Sequence, residues 1–384
     1  MSMTYAGTGV SYEDMDPFKI ACQKRAALTA RNAERLGITS SEWSRGESAF
    51  VFNSRQDGDF SHVEEGLGTK NLVADAMEEL TGKTHYDKIA QCTVATIVNE
   101  FMTLGHFPVT CAMHLAVGDS NWFNNKKRAD ALVAGWGHAC DLARCVWSGG
   151  ETPTLKGLPY AVLSGSAVGK NHPKANMNPA RIQPGDAIIF FPSSGIHANG
   201  LTLARGIATR DDGFWRKLGH LLFPDKVKSN ALPDSYLTPM RDGRFYGNAL
   251  LDPTHVYVGA VEDCLEAGID IHYGVNITGH GLRKLMRAPQ PLAYVVENLP
   301  PQLPIFDFIQ KYGPVDDREA YGNLNMSVGY ALFVPEHQAQ EIAPAIKNQP
   351  FRPFYGGHIE ESDQKKVVIK PKGIIFSAES LAVR

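Results

Sequence analysis

Residues 186–200 read DAIIFFPSSGIHANG, an apolar run of strand length followed by a polar turn that contains two glycines. The run at residues 186–191 predicts a buried strand, and residues 199–209 continue with apolar side chains at helical spacing. The same order of strand, glycine turn and helix recurs at residues 269–287. The sequence therefore predicts a fold of mixed α/β or α+β layers.

The first half of the chain shows the same alternation. Apolar spacing predicts helices at residues 86–104 and 126–146, and apolar runs predict strands at residues 109–117 and 158–168. Because 384 residues exceed what one hydrophobic core usually serves, two domains are expected. The polar segment at residues 169–185 contains three prolines, which favours a boundary there and domains at residues 1–170 and 171–384.

Composition narrows the function classes. Hydrophobic residues make up 43% and charged residues 21% of the chain, as in globular proteins, and the net charge of −3 disfavours nucleic acid as a partner. No signal segment opens the chain and no stretch is apolar enough to cross a membrane, so we expect a cytoplasmic protein without a membrane partner. The six scattered cysteines form no C-x-x-C pair and are expected to be reduced thiols.

Residues 62–70 read HVEEGLGTK and carry the strongest sign of phosphate chemistry. Glycines let backbone N–H groups approach phosphate oxygens, a carboxylate can hold magnesium, and an ammonium group can neutralise developing charge. The order of residues differs from that of a Walker A loop. A surface turn before a helix would read in the same way, so the segment alone leaves both interpretations open.

Further polar groups interrupt apolar segments. Asn99 and Glu100 lie inside the predicted helix at residues 86–104, where a carboxylate is costly unless it is paired or binds a cation, although Glu100 at the helix edge could also face solvent. Residues 148–152 (SGGET) are expected to form a loop between a helix and a strand. The acid and hydroxyl groups of this segment could bind a ligand, or the segment could be an ordinary loop.

Two glycine turns precede predicted helices and could bind an anion at the helix N-terminus. In residues 193–200, His197 could donate to a phosphate or act as an acid or base, or Asn199 could simply cap the helix. Residues 276–281 (NITGHG) have the same order of strand, turn and helix. Each turn could also be structural only.

Taken together and in this order, the motifs resemble the phosphoribosylformylglycinamidine cyclo-ligase (AIR synthetase) family over nearly the whole chain. The resemblance rests on residues 66–70 (GLGTK), 149–152 (GGET), 194–200 (SGIHANG), 253–254 (PT), 278–281 (TGHG) and 325–329 (NMSVG).

The resemblance implies an N-terminal domain that forms a dimer-spanning sheet or barrel, a C-terminal α/β domain, and a homodimer with its nucleotide near the interface. It implies ATP-dependent ring closure in purine biosynthesis, acting on a small phosphoribosyl substrate with ATP and Mg²⁺. By matching position, it implies catalytic roles for His197, Lys70 and Asn199 and magnesium ligands at Glu65 and Glu100. The nucleotide-binding residues that it implies are Gly66, Gly68, Thr69, Lys70, Asn99, Glu151 and Thr152.

Some positions depart from the family pattern. Glu65 and Glu100 stand where the family usually has aspartate, Met113 where an acid is expected, and His280 within a glycine triplet. Two alternatives therefore stay open. One is another ATP-using superfamily member, resembling thiamine-monophosphate kinase, selenide water dikinase or hydrogenase-maturation proteins, and the other is a non-catalytic homologue.

Overall fold

The computed structural model describes residues 3–4, 6–8, 12–209, 235–347 and 349–381. The described elements of the first half are α1 (Tyr12–Ala27), β1 (Ile38–Ser40), β2 (Phe50–Ser54), β3 (Gly58–Gly66), α2 (Lys70–Thr81), α3 (Tyr86–Val98), β4 (His106–Ala116), α4 (Lys126–Leu142), β5 (Val146–Glu151) and β6 (Val162–Asn171). Within these residues, six strands form one sheet in the order β1-β2-β3-β6-β4-β5. All neighbours are antiparallel except β4 and β5.

Helix α3 covers one face of this sheet and packs against α4. Its apolar side chains, including Ile89, Val94 and Ile97, are fully buried. A side chain at Gly165 of β6 would place its Cβ only 2.9 Å from Ile97 Cδ1, so glycine allows the helix to approach the sheet closely. This packing fixes the end of α3, and therefore Asn99 and Glu100, beside the C-terminal end of β3.

The described elements of the second half are β7 (Asp186–Pro192), α5 (Leu201–Thr209), α6 (Tyr246–Leu250), α7 (Val258–Glu266), β8 (Tyr273–Asn276), the 3₁₀ segment Gly281–Arg287, β9 (Leu292–Val296), α8 (Pro304–Tyr312), α9 (Asp317–Asn323), β10 (Val328–Pro335), α10 (Ile342–Ala345), β11 (Phe354–Glu361), β12 (Lys366–Ile369) and β13 (Ile374–Ser377). Seven described strands form a second sheet in the order β13-β12-β9-β11-β7-β10-β8. The predicted mixed α/β class is confirmed, with β7 buried along its length except at Pro192. The predicted division at residues 170 and 171 stays a prediction.

The two sheets meet through buried polar bonds as well as apolar packing. Tyr273 of β8 donates its hydroxyl to Glu47 Oε2 at 2.8 Å, and Arg287 donates to the main-chain oxygen of Gly46 at 2.7 Å. The Cα of Thr103 lies close to β8, 3.1 Å from the position that a Cβ on Gly274 would take. The ends of β3, α3 and β8 therefore lie together.

Three predicted elements were wrong in kind or extent. Residues 148–152 were expected to form a loop, but residues 146–151 are strand β5, paired in parallel with β4. A Cβ at Gly150 would lie 2.0 Å from the main-chain oxygen of Met113, so the glycine serves close strand pairing.

The predicted helix at residues 86–104 ends at Val98, and the chain continues as a separate 3₁₀ turn, Phe101–Leu104. Pro253 suits the first turn of a helix and so predicts one from residue 254, but α7 begins only at Val258. Both differences have one cause, because the Asn99 side chain accepts a hydrogen bond from the Tyr257 N–H at 2.9 Å and donates to the His255 oxygen at 2.8 Å. This contact joins the end of α3 to residues 255–257, which precede α7.

Candidate active site

A recessed cavity of about 220 Å³ lies where the ends of β3 and α3 face the beginning of α5. The residues that line it are Glu65, Gly66, Leu67, Gly68, Thr69, Thr96, Glu100, Ala198, Asn199, Gly200, Leu201, Thr202 and Thr278. Six of the residues that the resemblance assigns to the site are among them: Glu65, Gly66, Gly68, Thr69, Glu100 and Asn199.

The glycine loop forms one wall of the cavity. Strand β3 ends at Gly66 and helix α2 begins at Lys70, so the loop enters a helix N-terminus. Gly68 has φ of 76°, a left-handed conformation that favours glycine. Thr69 Oγ1 is buried and has no hydrogen-bond partner among the described residues. An unpaired hydroxyl beside a helix N-terminus is suited to donate a hydrogen bond to a phosphate oxygen.

Two carboxylates form the next part of the wall. Part of the Glu65 side chain is exposed beside the cavity, yet burial of its carboxyl group, together with the Glu100 carboxylate, raises the pKa of Glu65 to about 7. Glu100 is buried, and its Oε1 accepts a hydrogen bond from Asn276 Nδ2 at 2.7 Å. Its Oε2 is buried without a hydrogen-bond partner in the described part of the chain. A divalent cation would satisfy that oxygen and relieve the repulsion, so the pair fits magnesium.

A third charged group lies behind this pair. Lys284, in the 3₁₀ segment after β8, has its Nζ 3.8 Å from Glu100 Oε1 and 3.3 Å from the main-chain oxygen of Asn276, and it donates to Thr278 Oγ1. Its side chain is 12% exposed. Burial lowers the pKa of Lys284, and the Glu100 carboxylate opposes that effect. A cation of the protein therefore lies beside the Glu100 carboxylate, behind the residues that line the cavity.

Lys70 is placed differently from its expected role. It is fully buried, and its Nζ donates to the main-chain oxygens of His197 at 2.9 Å and Asp252 at 2.7 Å. Its ammonium group therefore joins the start of α2 to two distant loops and does not line the cavity. Its phosphate-binding role stays a prediction.

His197 is also behind the cavity wall. It is buried with φ of 61°, and its Nε2 lies 3.3 Å from the Ser194 N–H, from which it can accept a hydrogen bond. Burial, followed by the nearby His255 and Lys70, holds the pKa of His197 well below its usual range, so the imidazole is neutral. The residues that follow it, Ala198 and Asn199, reach the cavity.

The remaining expected residues lie outside the cavity lining. The Asn99 side chain bridges His255 and Tyr257. Glu151 ends the edge strand β5 and is exposed, as is Thr152 after it. Their nucleotide-binding roles stay predictions. Among the residues with described positions, no group of three or more His, Cys, Asp or Glu side chains could hold a metal ion.

Sequence reasoning missed Thr96, Asn276 and Lys284. Thr96 stands four residues before Glu100, so the two share one side of the helix predicted at residues 86–104, which was a usable signal. Asn276 belongs to a recognised strand and turn, but nothing local assigns its amide to Glu100. Lys284 stands among apolar Leu282, Leu285 and Met286, and a lysine in such a run signals a buried charge with a partner.

The chain is similar in fold to solved structures of other proteins. It is similar to a chain of a HypE–HypF complex, with a TM-score of 0.55 and 14% identity over 88% of this chain and 95% of that one. It is also similar to AaThiL complexed with AMPPCP and TMP, with a TM-score of 0.53 and 14% identity over 90% and 93% of the two chains. At this identity the likeness defines the fold alone. No helix within the described ranges is long and apolar enough to span a membrane.

Sequence similarity then gives the family. Residues 46–170 match the family described as AIR synthase related protein, N-terminal domain. The phosphoribosylformylglycinamidine cyclo-ligase of Enterococcus faecalis is 34% identical over 290 residues, which are 73% of this chain and 76% of the relative. That of Methanothermobacter thermautotrophicus is 29% identical over 345 residues, 88% and 90% of the two chains. The chain belongs to the phosphoribosylformylglycinamidine cyclo-ligase family.

Proposed function

We propose that this chain is an ATP-dependent phosphoribosylformylglycinamidine cyclo-ligase, which converts formylglycinamidine ribonucleotide to aminoimidazole ribonucleotide in purine biosynthesis. The observation that carries the proposal is the cavity in which the glycine loop at residues 66–69, the Glu65 and Glu100 carboxylates and the N-terminal end of α5 meet. The glycine loop and the helix end suit a phosphoryl group, the carboxylates suit the magnesium ion that accompanies it, and the family supplies the substrate.

The chemistry requires activation of an amide oxygen, which is a poor leaving group. ATP would transfer its γ-phosphoryl group to this oxygen, which then becomes part of a phosphate leaving group. The amidine nitrogen would then attack the formyl carbon and expel phosphate as the ring closes. The protein's task is to align these groups and to stabilise the charge on the transferring phosphoryl oxygens. The backbone of the glycine loop and the Thr69 hydroxyl would bind nucleotide phosphates, and Asn199 would orient the acceptor across the cavity.

Magnesium would be held by Glu65 and by Glu100 Oε2, the oxygen without a hydrogen-bond partner among the described residues. An ion bound there would neutralise negative charge on the phosphates. His197 would act indirectly, because its neutral ring fixes the turn that carries Ala198 and Asn199. Lys70 would hold the same turn from the other side through the His197 oxygen.

We also propose a homodimer that pairs through the first sheet. Helix α3 covers one face of that sheet, whereas side chains on the opposite face, such as Glu64, His62 and Val168, are exposed. Exposed valines from three adjacent strands, Val109, Val146 and Val168, form an apolar patch there. Such a patch is typical of a protein interface, and the family resemblance implies a dimer. A cytoplasmic location is proposed because none of the described cysteines forms a disulfide.

The proposal is tested by incubating the full chain with magnesium-ATP, with and without formylglycinamidine ribonucleotide, and measuring ADP and the aminoimidazole product together. ADP that depends on the substrate and equals the imidazole formed would support it. ATP binding without such turnover would contradict the proposed substrate. The Glu100→Gln variant, which removes one charge at nearly constant shape, should lose turnover by roughly a hundredfold. Glu79→Gln, at an exposed position of α2, is the matched control.

A further inference from the structure

Lys284 lies among oxygen atoms that would otherwise suit a hard cation. Its Nζ is 3.8 Å from Glu100 Oε1 and 3.3 Å from the main-chain oxygen of Asn276, and it donates to the Thr278 hydroxyl. Carboxylate, carbonyl and hydroxyl oxygens are the ligand types that hard divalent cations prefer. The ammonium group therefore fills a place whose surroundings resemble a metal site.

The two oxygens of Glu100 have different surroundings. Oε1 is engaged by the Asn276 amide and lies beside the Lys284 ammonium. Oε2 is buried and has no hydrogen-bond partner within the described ranges, while the Glu65 carboxylate lines the same cavity. One cation can therefore bind between Glu65 and Oε2, whereas a second on the Oε1 side would meet an ammonium group at close range.

The positive charge of Lys284 strongly disfavours a second divalent cation on the Oε1 side of Glu100. Like charges a few ångströms apart repel much more strongly in a buried site than in water, and the Lys284 side chain is 12% exposed. Arg287 adds a second positive charge on the same 3₁₀ segment, but its guanidinium is held by Ser48, Gly46 and Glu47. Lys284 is thus the cation that forms an ion pair with Glu100 in the described part of the chain.

We propose that the Lys284 ammonium is a built-in cation that occupies the second of two adjacent cation places at the Glu100 carboxylate and so limits the cavity to one exchangeable divalent ion. Lys284 acts here as a positioning residue that sets the number of metal ions. The inference rests on the proposed metal role of Glu65 and Glu100. In substrate terms, it means that part of the positive charge beside the cavity is fixed in the protein.

The test counts bound Mn²⁺ per chain on the purified full chain without nucleotide, by electron paramagnetic resonance of the free ion. The wild type should bind one ion at the cavity. Lys284→Met, which keeps the length of the side chain and removes its charge, should bind one ion more than the wild type. Lys284→Arg keeps the charge and is the matched control, with the wild-type count.

Because the ammonium group is buried, Lys284→Gln is made in parallel, and the Mn²⁺-dependent rise in melting temperature is measured for each folded variant as a second readout. Both uncharged variants should show a larger rise than Lys284→Arg. An equal count and an equal rise in wild type and uncharged variants would overturn the role of Lys284 alone. Binding of no Mn²⁺ at the cavity by any protein, with Glu100→Gln as reference, would overturn both this inference and the metal role of the carboxylates.

Discussion

The side-chain Nζ of Lys70 lies 2.9 Å from the main-chain oxygen of His197, so the first residue of α2 holds the turn that precedes α5. The same ammonium group donates to the Asp252 oxygen at 2.7 Å. Both contacts connect the glycine loop of the first sheet to loops of the second half. The shape of the cavity between them therefore depends on a buried charge that does not line it.

Removing this charge should destabilise the protein. Lys70→Met leaves two buried carbonyl oxygens without their charged donor, and we expect the free energy of unfolding to fall by about 3 kcal/mol. Chemical denaturation followed by circular dichroism measures the change. Lys83→Met, at an exposed position after α2, is the control and should change stability little. A Lys70→Met protein as stable as the wild type would show that these bonds do not support the fold.

Gly68 and Gly82 offer a matched pair at the two ends of α2. Their φ angles are 76° and 70°, so alanine at either position should cost about 1 kcal/mol of stability through backbone strain. Only Gly68 lines the cavity. Gly68→Ala should weaken ATP binding by roughly tenfold, measured by calorimetry, because the added methyl group separates the loop backbone from the phosphates. Equal ATP affinity in the two variants would remove the loop from the nucleotide site.

Acid should destabilise the chain through His106, which is 3% exposed. Burial, only partly opposed by Asp59, lowers the pKa of His106 to about 4. Below a pH of about 6.5 the unfolded chain takes up a proton that the folded chain excludes, so stability is full above that pH and is lost as the pH falls towards 4.

His106 contributes at most about 1.4 kcal/mol per pH unit to the fall in the free energy of unfolding with decreasing pH. His106→Gln should flatten the fall in stability by up to that amount between these pH values, measured by urea unfolding at a series of pH values. His337→Gln changes an exposed histidine and should leave the slope as it is. A slope that is the same in all three proteins would contradict a neutral, buried His106.

The proposed dimer can be separated from the fold itself. Ser166 of β6 pairs with Glu64 of β3 and Ala112 of β4 on the face of the sheet that α3 leaves open. Ser166→Arg should convert a dimer to a monomer in analytical ultracentrifugation, because a side chain of this size would hold the two sheets apart. Val133→Arg adds the same charge at an exposed position of α4 and should remain dimeric. A monomeric wild type would refute the interface.

Local sequence was sufficient for some of the site. Residues 66–69 were expected to form a glycine loop before a helix, and Gly68 adopts the left-handed backbone that such a loop needs. His280 stands where the family has a glycine, and its φ of 71° shows that the turn keeps a glycine-like backbone conformation. These features depend on neighbours in the chain, which a sequence displays directly.

Long-range contacts explain what the sequence could not predict. Lys70 ends the glycine-rich segment at residues 62–70, but its acceptors belong to residues 197 and 252, and no local pattern shows where an ammonium group points. Lys284 belongs to no motif, and only the meeting of α3 with β8 brings it to Glu100. The strand at residues 146–151 was missed because its glycines suggest a loop. Its pairing with β4, which makes it a strand, is a long-range contact.

The measurement that tests the central claim most directly follows the formyl oxygen. Formylglycinamidine ribonucleotide labelled with ¹⁸O at this position is converted with unlabelled ATP and Mg²⁺, and the inorganic phosphate is analysed by mass spectrometry. If the amide oxygen is phosphorylated and then expelled, one ¹⁸O atom appears in phosphate for each imidazole formed. Imidazole formation that releases unlabelled phosphate, or ATP cleavage without any imidazole, would contradict the account.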